Sequence, residues 1–450
     1  MSFHPCRDGL RLLRHALLRL DKPWRHLVVA AAVGALGGLT VAAFRATLYA
    51  LETLLVGAQG GHLVAAAEVL QAPVRVLAPF FGALAAGLLL WLAGRADSGA
   101  NAGAARGSGD YIEAVAIGNG RLDTRGGLLK VGASMLVVST GGAVGREGAM
   151  VLLAAMLASL LGRLLGGVAN LRLMVSCGAA AGLASAYHAP LAGAVFVAEI
   201  LLGSLALSQL GPVVVSAVVA FGVSVSLGQR SVLFPVAGIG SPDATQVALL
   251  LLLGLVGGAL GAALLRWLRT ARSLFKRSRL RLPAAFALGG LLVGLLSLVR
   301  PEVWGNGYSG IQQQLAGAGS WSVIAFVLVF KLAAIAATTG SGAPGGVFTP
   351  TLFTGAAAGA LAAAALAAIG VTTTPEPMYA VVGMGVLLAA TTHAPVMAAL
   401  MVFEMTGQYA LLPMLLPACV LATLVSRRIE PLSVYGLLGP GELGDRPRTG

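Results

Sequence analysis

The sequence predicts an all-α, polytopic membrane protein built from two related halves of long and short helices. A soluble globular chain is excluded, because 57% of the 450 residues are hydrophobic and only 10% are charged, whereas soluble domains carry about 25% charged residues. Apolar stretches at 26–54 and 247–265 are long enough to cross a bilayer. Shorter stretches at 171–181 and 378–390 cannot cross alone, and such helices persist at membrane depth only when protein or a wet cavity surrounds them. We therefore expect more helices than complete crossings.

The net charge of +13 is clustered beside the apolar stretches. Clusters in such positions mark cytoplasmic segments under the positive-inside rule, and they do not indicate nucleic-acid binding. The basic residues concerned are Arg7, Arg11, Arg14, Arg19, Lys22, Arg25, Arg266, Arg269, Arg272, Lys276, Arg277, Arg279, Arg281, Arg427 and Arg428. Both termini are accordingly predicted to be cytoplasmic, and residues 10–20 are predicted to form an amphipathic helix on the membrane surface.

Two sequence patterns recur along the chain in the same order. GAxG at 142–145 returns at 342–345, and HAP at 188–190 returns at 393–395. Ordered recurrences at nearly constant spacing indicate an internal repeat, although they do not fix whether the halves are inverted or parallel. The predicted segments are a cytoplasmic basic amphipathic helix at 1–27, a first membrane repeat at 28–228, a connection at 229–243, a second membrane repeat at 244–435 and a short cytoplasmic tail at 436–450.

Each half carries a glycine-rich break inside apolar sequence. The first is GREG at 145–148, which contains Glu147, and the second is GGVFTP at 345–350. An ionisable residue in such a place is costly and usually functional. Each break precedes an apolar helical run, so a helix begins there with unpaired N–H groups and the positive end of its dipole. Such a helix start binds anions, and two of them in corresponding halves predict a transporter or channel.

These breaks, together with GSG at 107–109 and SVY at 433–435, resemble the motifs of the CLC family of chloride channels and chloride/proton antiporters. The resemblance covers essentially the whole chain. GREGAMVLL at 145–153 and WGNGY at 304–308 look most like the bacterial ClcB-type branch. The resemblance implies an inverted repeat of broken, tilted transmembrane and re-entrant helices. It also implies a homodimer with one pore per subunit in a bacterial inner membrane.

The resemblance assigns Glu147 as the gating residue. A carboxylate beside an anion path occupies the outer anion position itself, held by the amides of a helix N-terminus, and protonation releases it. One side chain then couples pH to gating. The alternative is a structural ion pair between Glu147 and Arg146.

The same resemblance implies that neutral donors bind the anion, since a fixed cation would hold a conducted ion too tightly. Ser108 and Tyr435 supply hydroxyl groups, and backbone amides supply the remaining contacts. The implied anion-binding residues are Gly107, Ser108, Gly109, Arg146, Glu147, Gly148, Val347, Phe348 and Tyr435. Taken alone, Ser108 would be a helix N-cap and Tyr435 an interfacial aromatic residue. Asp110 departs from the family pattern, and its carboxylate would repel anions at the inner mouth.

Glu199 is the candidate for a proton path, because proton-coupled relatives carry two acids in succession at this helix end. The second position here is Ile200, whose side chain cannot pass a proton. The predicted function is therefore chloride permeation through a pore gated by Glu147. Chloride/proton antiport is the alternative, and fluoride transport is third, because fluoride branches alter the motif that holds Ser108.

His188 and His393 are expected to cap helices or to hold interior hydrogen bonds.

The rival from another class is an intramembrane hydrolase that uses Ser108 with His188. Ser108 lies in a Gly-Ser-Gly loop with no accompanying oxyanion-hole motif, so we expect no enzymatic activity.

The three cysteines, at positions 6, 177 and 419, are isolated, which argues against a disulfide framework and against paired metal spacing. No cofactor or metal is predicted. The expected partners are chloride, the lipid bilayer and a second copy of the chain.

Overall fold

The computed structural model describes residues 14–98, 110–116, 118–203, 207–229, 232–236, 239–317, 319–371 and 376–438. Within these ranges the regular elements are helices, and no β-strand forms. Helices α1 to α9 are Lys22–Val56, Leu63–Val69, Ala72–Ser98, Tyr111–Ala116, Thr124–Ser139, Glu147–Leu165, Leu171–Tyr187, Pro190–Phe196 and Leu207–Ser226. Helices α10 to α18 are Ala244–Arg277, Leu282–Val299, Tyr308–Leu315, Trp321–Gly340, Phe348–Ala368, Glu376–Thr392, Pro395–Thr406, Leu412–Ile429 and Val434–Leu438. A π-helix, Val197–Leu202, follows α8, and two short 3-10 helices cover Pro301–Val303 and Tyr409–Leu411.

Among the described residues, 8 helices are long and apolar enough to span a bilayer. These are α1, α3, α6, α10, α11, α13, α14 and α17, the last together with the 3-10 turn that precedes it. Helices α7 and α15 have 17 residues each and are too short to span alone, as their sequences predicted. The chain is therefore an all-α, multi-pass membrane protein with more helices than crossings, and the predicted fold class is confirmed. Of the predicted N-terminal surface helix, residues 14–18 are helical, and residues 1–13 lie outside the described ranges.

Glycines set the close packing of α14 on α15. A Cβ atom on Gly355 would overlap the carbonyl oxygen of Gly383, and one on Gly359 would overlap that of Tyr379. Small residues four apart let two helix backbones approach in this way inside a membrane protein. This contact fixes the position of α14, whose first residue belongs to the candidate site described below.

The two HAP segments adopt the same backbone conformation. His188 and His393 both lie in the left-handed region, with φ of 56° and 59°. Ala189 and Ala394 follow with φ/ψ of −129°/79° and −128°/82°, and a proline then begins the next helix in each case. A non-glycine residue with positive φ is uncommon. Its occurrence at both anchors therefore supports the repeat locally, while the predicted repeat boundaries stay a prediction.

The described residues fall into two compact units. The first lies within Met1–Phe44, Gly103–Leu128 and Met150–Ser231, and the second within Arg45–Ala102, Leu129–Ala149 and Val232–Gly450. In the first unit, hydroxyl groups link α7 to α9: Ser216 Oγ donates to the Cys177 carbonyl at 2.9 Å. The second unit has an apolar cluster whose buried members include Ala143, Trp304, Val347 and Val434. The Glu147 motif and its glycine-rich partner both belong to the second unit.

Candidate anion site

Two helix starts meet in the second unit. Helix α6 begins at Glu147 and helix α14 begins at Phe348. Two residues before each start, Gly145 and Gly346 form an antiparallel bridge. The Gly145 amide donates to the Gly346 carbonyl at 2.6 Å, and the Gly346 amide donates to the Gly145 carbonyl at 2.8 Å. The fold therefore joins the two glycine-rich breaks that the sequence singled out, and it places the positive ends of two helix dipoles side by side.

Gly145 leaves room for the Glu147 carboxylate. A Cβ atom at this position would overlap Oε2 of Glu147 and would lie 3.1 Å from the Gly346 carbonyl oxygen. The Glu147 carboxylate thus folds back over the bridge between the two breaks. Any side chain at Gly145 would displace either that carboxylate or the bridge.

The Glu147 side chain is buried, with 2% of its surface exposed. Asn306 Nδ2 donates to Glu147 Oε1 at 3.0 Å. The orientation of this amide is set by its other end, because Asn306 Oδ1 accepts the Tyr308 backbone N–H at 3.3 Å. Glu147 Oε2 is buried and accepts no hydrogen bond of normal geometry from the described residues. The carboxylate is held at the start of α6 by a neutral donor.

Arg146 does not form a contact ion pair with Glu147. Its Nη2 donates to the Tyr49 hydroxyl at 3.4 Å. Its Cζ lies 5.3 Å from the centre of the Tyr49 ring and 5.5 Å from that of the Tyr308 ring, which is cation–π geometry. The guanidinium still interacts electrostatically with the carboxylates of Glu147 and Glu52. The structural ion pair considered as the alternative role for Glu147 is absent from the described residues.

Helix α1 brings two further charged residues to this region. Arg45 is half-buried and interacts electrostatically with Glu147 and with Arg146. Glu52 is 1% exposed and interacts with Arg146. Sequence reasoning missed both residues, although a charged residue inside the apolar stretch at 26–54 is itself a signal of function. Two guanidinium groups and a second carboxylate therefore lie near the paired helix starts, and among the described residues neither guanidinium forms an ion pair with Glu147.

A buried lysine fixes the loop that carries Asn306. Lys331, on α13, is 0% exposed. Its Nζ lies 3.1, 2.9, 3.1 and 2.8 Å from the carbonyl oxygens of Glu302, Val303, Trp304 and Gly305, which share its three N–H donors. Nothing local in the sequence identifies these carbonyls as its partners. The ammonium group therefore hydrogen-bonds the backbone carbonyls of the four residues immediately before Asn306.

The predicted anion-binding residues divide into three groups. The structure brings together Arg146, Glu147, Gly148, Val347 and Phe348 at the two helix starts. Tyr435 is half-buried in α18 and packs against the apolar cluster that contains Val347. Residues 107–109, with the predicted hydroxyl donor Ser108, lie outside the described ranges, so their assignment stays a prediction.

The remaining candidates have local partners. Asp110 Oδ1 accepts the Ile112 amide at 3.0 Å, so this carboxylate caps the start of α4. His188 Nε2 lies 2.9 Å from Gln229 Oε1. Burial, followed by the nearby Arg427, lowers the pKa of His393 to about 4, so this imidazole is neutral at physiological pH. Glu199 lies half-buried in the π-helix, within the first unit.

Comparison with known proteins identifies the family of the chain. The family model described as "Voltage gated chloride channel" matches residues 81–427. The chain belongs to the voltage-gated chloride channel (CLC) family. Among curated relatives in this family, the voltage-gated ClC-type chloride channel ClcB of Salmonella typhimurium is 46% identical over 419 residues, covering 92% of this chain and 98% of the relative. The putative chloride channel protein ClcB-like of Ralstonia nicotianae is 45% identical over 415 residues, covering 91% and 95%.

Solved structures show the same CLC fold at low sequence identity. A slow cyanobacterial Cl⁻/H⁺ antiporter aligns with a TM-score of 0.78 and 23% identity, covering 92% of this chain and 96% of that chain. A CLC-type fluoride/proton antiporter aligns with a TM-score of 0.73 and 22% identity, covering 92% and 97%. The predicted family resemblance is confirmed, and at these identities the structural likeness bears on the fold alone.

Proposed function

We propose that this protein lets chloride cross the membrane through a CLC-type pore that is gated by the Glu147 side chain. One observation carries the proposal: a buried carboxylate lies on the first residue of α6, where the Gly145–Gly346 bridge joins that helix start to the start of α14. Paired helix starts favour an anion. The carboxylate is the anion that competes with chloride for this place.

The gate opens by loss of charge. Protonation of Glu147 removes the attraction to the helix start, to the Asn306 amide and to the two guanidinium groups of Arg45 and Arg146. The neutral side chain then leaves, and chloride takes its place among the backbone amides. The arginines raise the local anion concentration but do not contact the gate position, so they attract chloride without trapping it.

The relatives support chloride as the ion. Those at 46% and 45% identity carry chloride-channel names, and they match over nearly the whole chain. From the family resemblance and the basic clusters in the sequence, we also propose that the protein is a homodimer in a bacterial inner membrane with both termini cytoplasmic. We assign it neither enzymatic activity nor a cofactor.

Chloride/proton antiport is the second candidate. Two structural neighbours are titled antiporters, one for chloride and one for fluoride. Glu199 lies in a π-helix, an element frequent at functional sites. Ile200 follows it directly and supplies no titratable group to extend a proton path. Conduction without proton coupling is therefore preferred, and fluoride transport ranks third.

The deciding experiment measures chloride efflux and external pH together in liposomes that contain the purified protein. Chloride movement down its gradient, with no uphill proton movement beyond a protonophore-treated control, is the expected result. Proton movement at a fixed ratio to chloride would replace conduction by antiport, and Glu199→Gln should then abolish the proton flux alone. Glu430→Gln is the matched control, since Glu430 is also a buried carboxylate but pairs with Arg266 and Arg269 instead. Absence of chloride flux in a correctly folded preparation would overturn the proposal.

A further inference from the structure

The Asn306 amide is fixed in the orientation in which it donates to Glu147. Its Oδ1 accepts the Tyr308 N–H at 3.3 Å, which leaves Nδ2 to donate to Glu147 Oε1 at 3.0 Å. A flipped amide would lose both hydrogen bonds. A hydrogen bond to the charged form of an acid favours that form. The Asn306 donor therefore stabilises the ionised Glu147 side chain in its buried position.

The backbone before Asn306 is held by Lys331. The four carbonyls that accept from its Nζ belong to consecutive residues from Glu302 to Gly305. Gly305 and Gly307, on either side of Asn306, both have positive φ, of 67° and 97°. Glycine adopts positive φ without strain, and the hydrogen bonds from Lys331 hold the carbonyls on the N-terminal side of Asn306 in place.

Other charged and titratable groups face the gate from three elements. Arg146 precedes it in the chain, Arg45 comes from α1, and the Tyr308 hydroxyl faces it from α12. Tyr49 and Glu52, also on α1, interact with Arg146. No cation of the described residues lies within salt-bridge distance of the Glu147 carboxylate. Two neutral groups, the Asn306 amide and the Tyr308 hydroxyl, are therefore hydrogen-bond partners of the Glu147 carboxylate, while the cations act from further away.

We propose that Asn306 is the latch that sets the pH at which the Glu147 gate opens, and that Lys331 is the positioning residue that aims this latch. The inference rests on the proposed function, because it assigns the regulation of that same gate. The hydrogen bond favours the closed, ionised gate, so weakening it should let protons open the pore at a higher pH.

The test is the pH dependence of chloride efflux from liposomes. Asn306→Asp keeps the shape and the acceptor for the Tyr308 N–H but replaces the donor by an acceptor, and Asn306→Ala removes the amide altogether. Asn306→Ala should move the midpoint of acid activation upward by about one to two pH units, as loss of a hydrogen bond to a charged group implies. Asn306→Asp should move it further in the same direction, because it also places a second carboxylate beside Glu147. An unmoved midpoint in both variants, with normal acid activation of the wild type, would overturn the latch while leaving the proposed function intact. A wild type that passes no chloride would overturn both.

The positioning role of Lys331 is tested by Lys331→Met alone and combined with Asn306→Ala. The single variant should shift the midpoint in the same direction, and the double variant should shift it no further than Asn306→Ala, because residues that act through one contact are not additive. Thr339→Val is the matched control on α13, since the Thr339 hydroxyl donates to Ile335 in its own helix, and its midpoint should equal that of the wild type. Lys331→Gln, which keeps two donors, replaces Lys331→Met if that protein does not fold. Additive shifts, or a wild-type midpoint in the Lys331 variant that folds, would overturn the positioning role.

Discussion

Replacement of Glu147 by glutamine is the most informative single perturbation of this protein. Glu147→Gln keeps the size of the side chain and its carbonyl acceptor for Asn306, and it removes only the negative charge. The site is buried, and the carboxylate lies at the start of α6 beside the Gly145–Gly346 bridge. The substitution therefore imitates the protonated gate at every pH.

The size of the effect follows from the interactions that need the charge. A hydrogen bond to a charged group contributes about 1.5–3 kcal/mol. A carboxylate at a helix N-terminus gains about 0.3–2 kcal/mol. Together these stabilise the closed gate by about 2–5 kcal/mol, which corresponds to a shift of about 30- to 5,000-fold between closed and open populations. The distant guanidinium groups add to this, and salt screens their part.

The assay is chloride efflux from liposomes across a range of pH. The wild type should be slow at neutral pH and should accelerate as pH falls, because protonation removes the charge that keeps the gate closed. Glu147→Gln should be fast at neutral pH and nearly independent of pH. A glutamine variant that retains the acid activation of the wild type would refute the gate assignment, as would loss of all flux in a correctly folded protein.

Three further predictions concern packing and binding. Gly145→Ala should raise chloride flux at neutral pH, because the added methyl group displaces Glu147 Oε2, and in a Glu147→Ala background it should have no further effect. Ser108→Ala and Tyr435→Ala should each weaken chloride binding, measured by calorimetry, by about ten- to a hundredfold, since each removes one donor to the anion; unchanged binding in both would remove these residues from the site. Gly290→Ala should lower the unfolding temperature in detergent, because its methyl group would overlap the Pro79 carbonyl and overpacking costs about 1–3 kcal/mol, whereas Gly94→Ala, with open space around its Cβ, should not.

The sequence was sufficient to predict the fold class and the positions of the two helix starts because both have local signals. Apolar length marks the helices that can cross, and interruption by glycine marks the helix starts. Two glycine-rich breaks in corresponding halves each predicted a helix start, and the Gly145–Gly346 bridge joins them. The two HAP segments likewise predicted a repeat, and the histidine of each segment has the same left-handed backbone conformation.

The contacts that complete the site have no local signal. Asn306 is 159 positions from Glu147 along the chain, and nothing in the WGNGY motif indicates which side chain the Asn306 amide contacts. Lys331 looks like an ordinary buried lysine until the fold shows that four consecutive carbonyls surround its ammonium group. Arg45 and Glu52 carried a signal, as charges within apolar sequence, but their partners depend on how α1 packs. Pairings at such separations are decided by tertiary structure, which composition and periodicity do not encode.

Around Glu147, the cations lie at a distance and neutral donors are in contact, and this arrangement suits the proposed gate. Arg146 is its neighbour in sequence, yet the guanidinium donates to Tyr49 and lies over two tyrosine rings. A buried contact ion pair costs about 3–5 kcal/mol to break, and such a pair would hold the carboxylate ionised and the pore shut through ordinary changes in pH. A neutral amide contributes less, so that protonation can compete with closure. In the proposed pore, cations at a distance therefore attract chloride, while neutral donors in contact with Glu147 leave the proposed gate free to open.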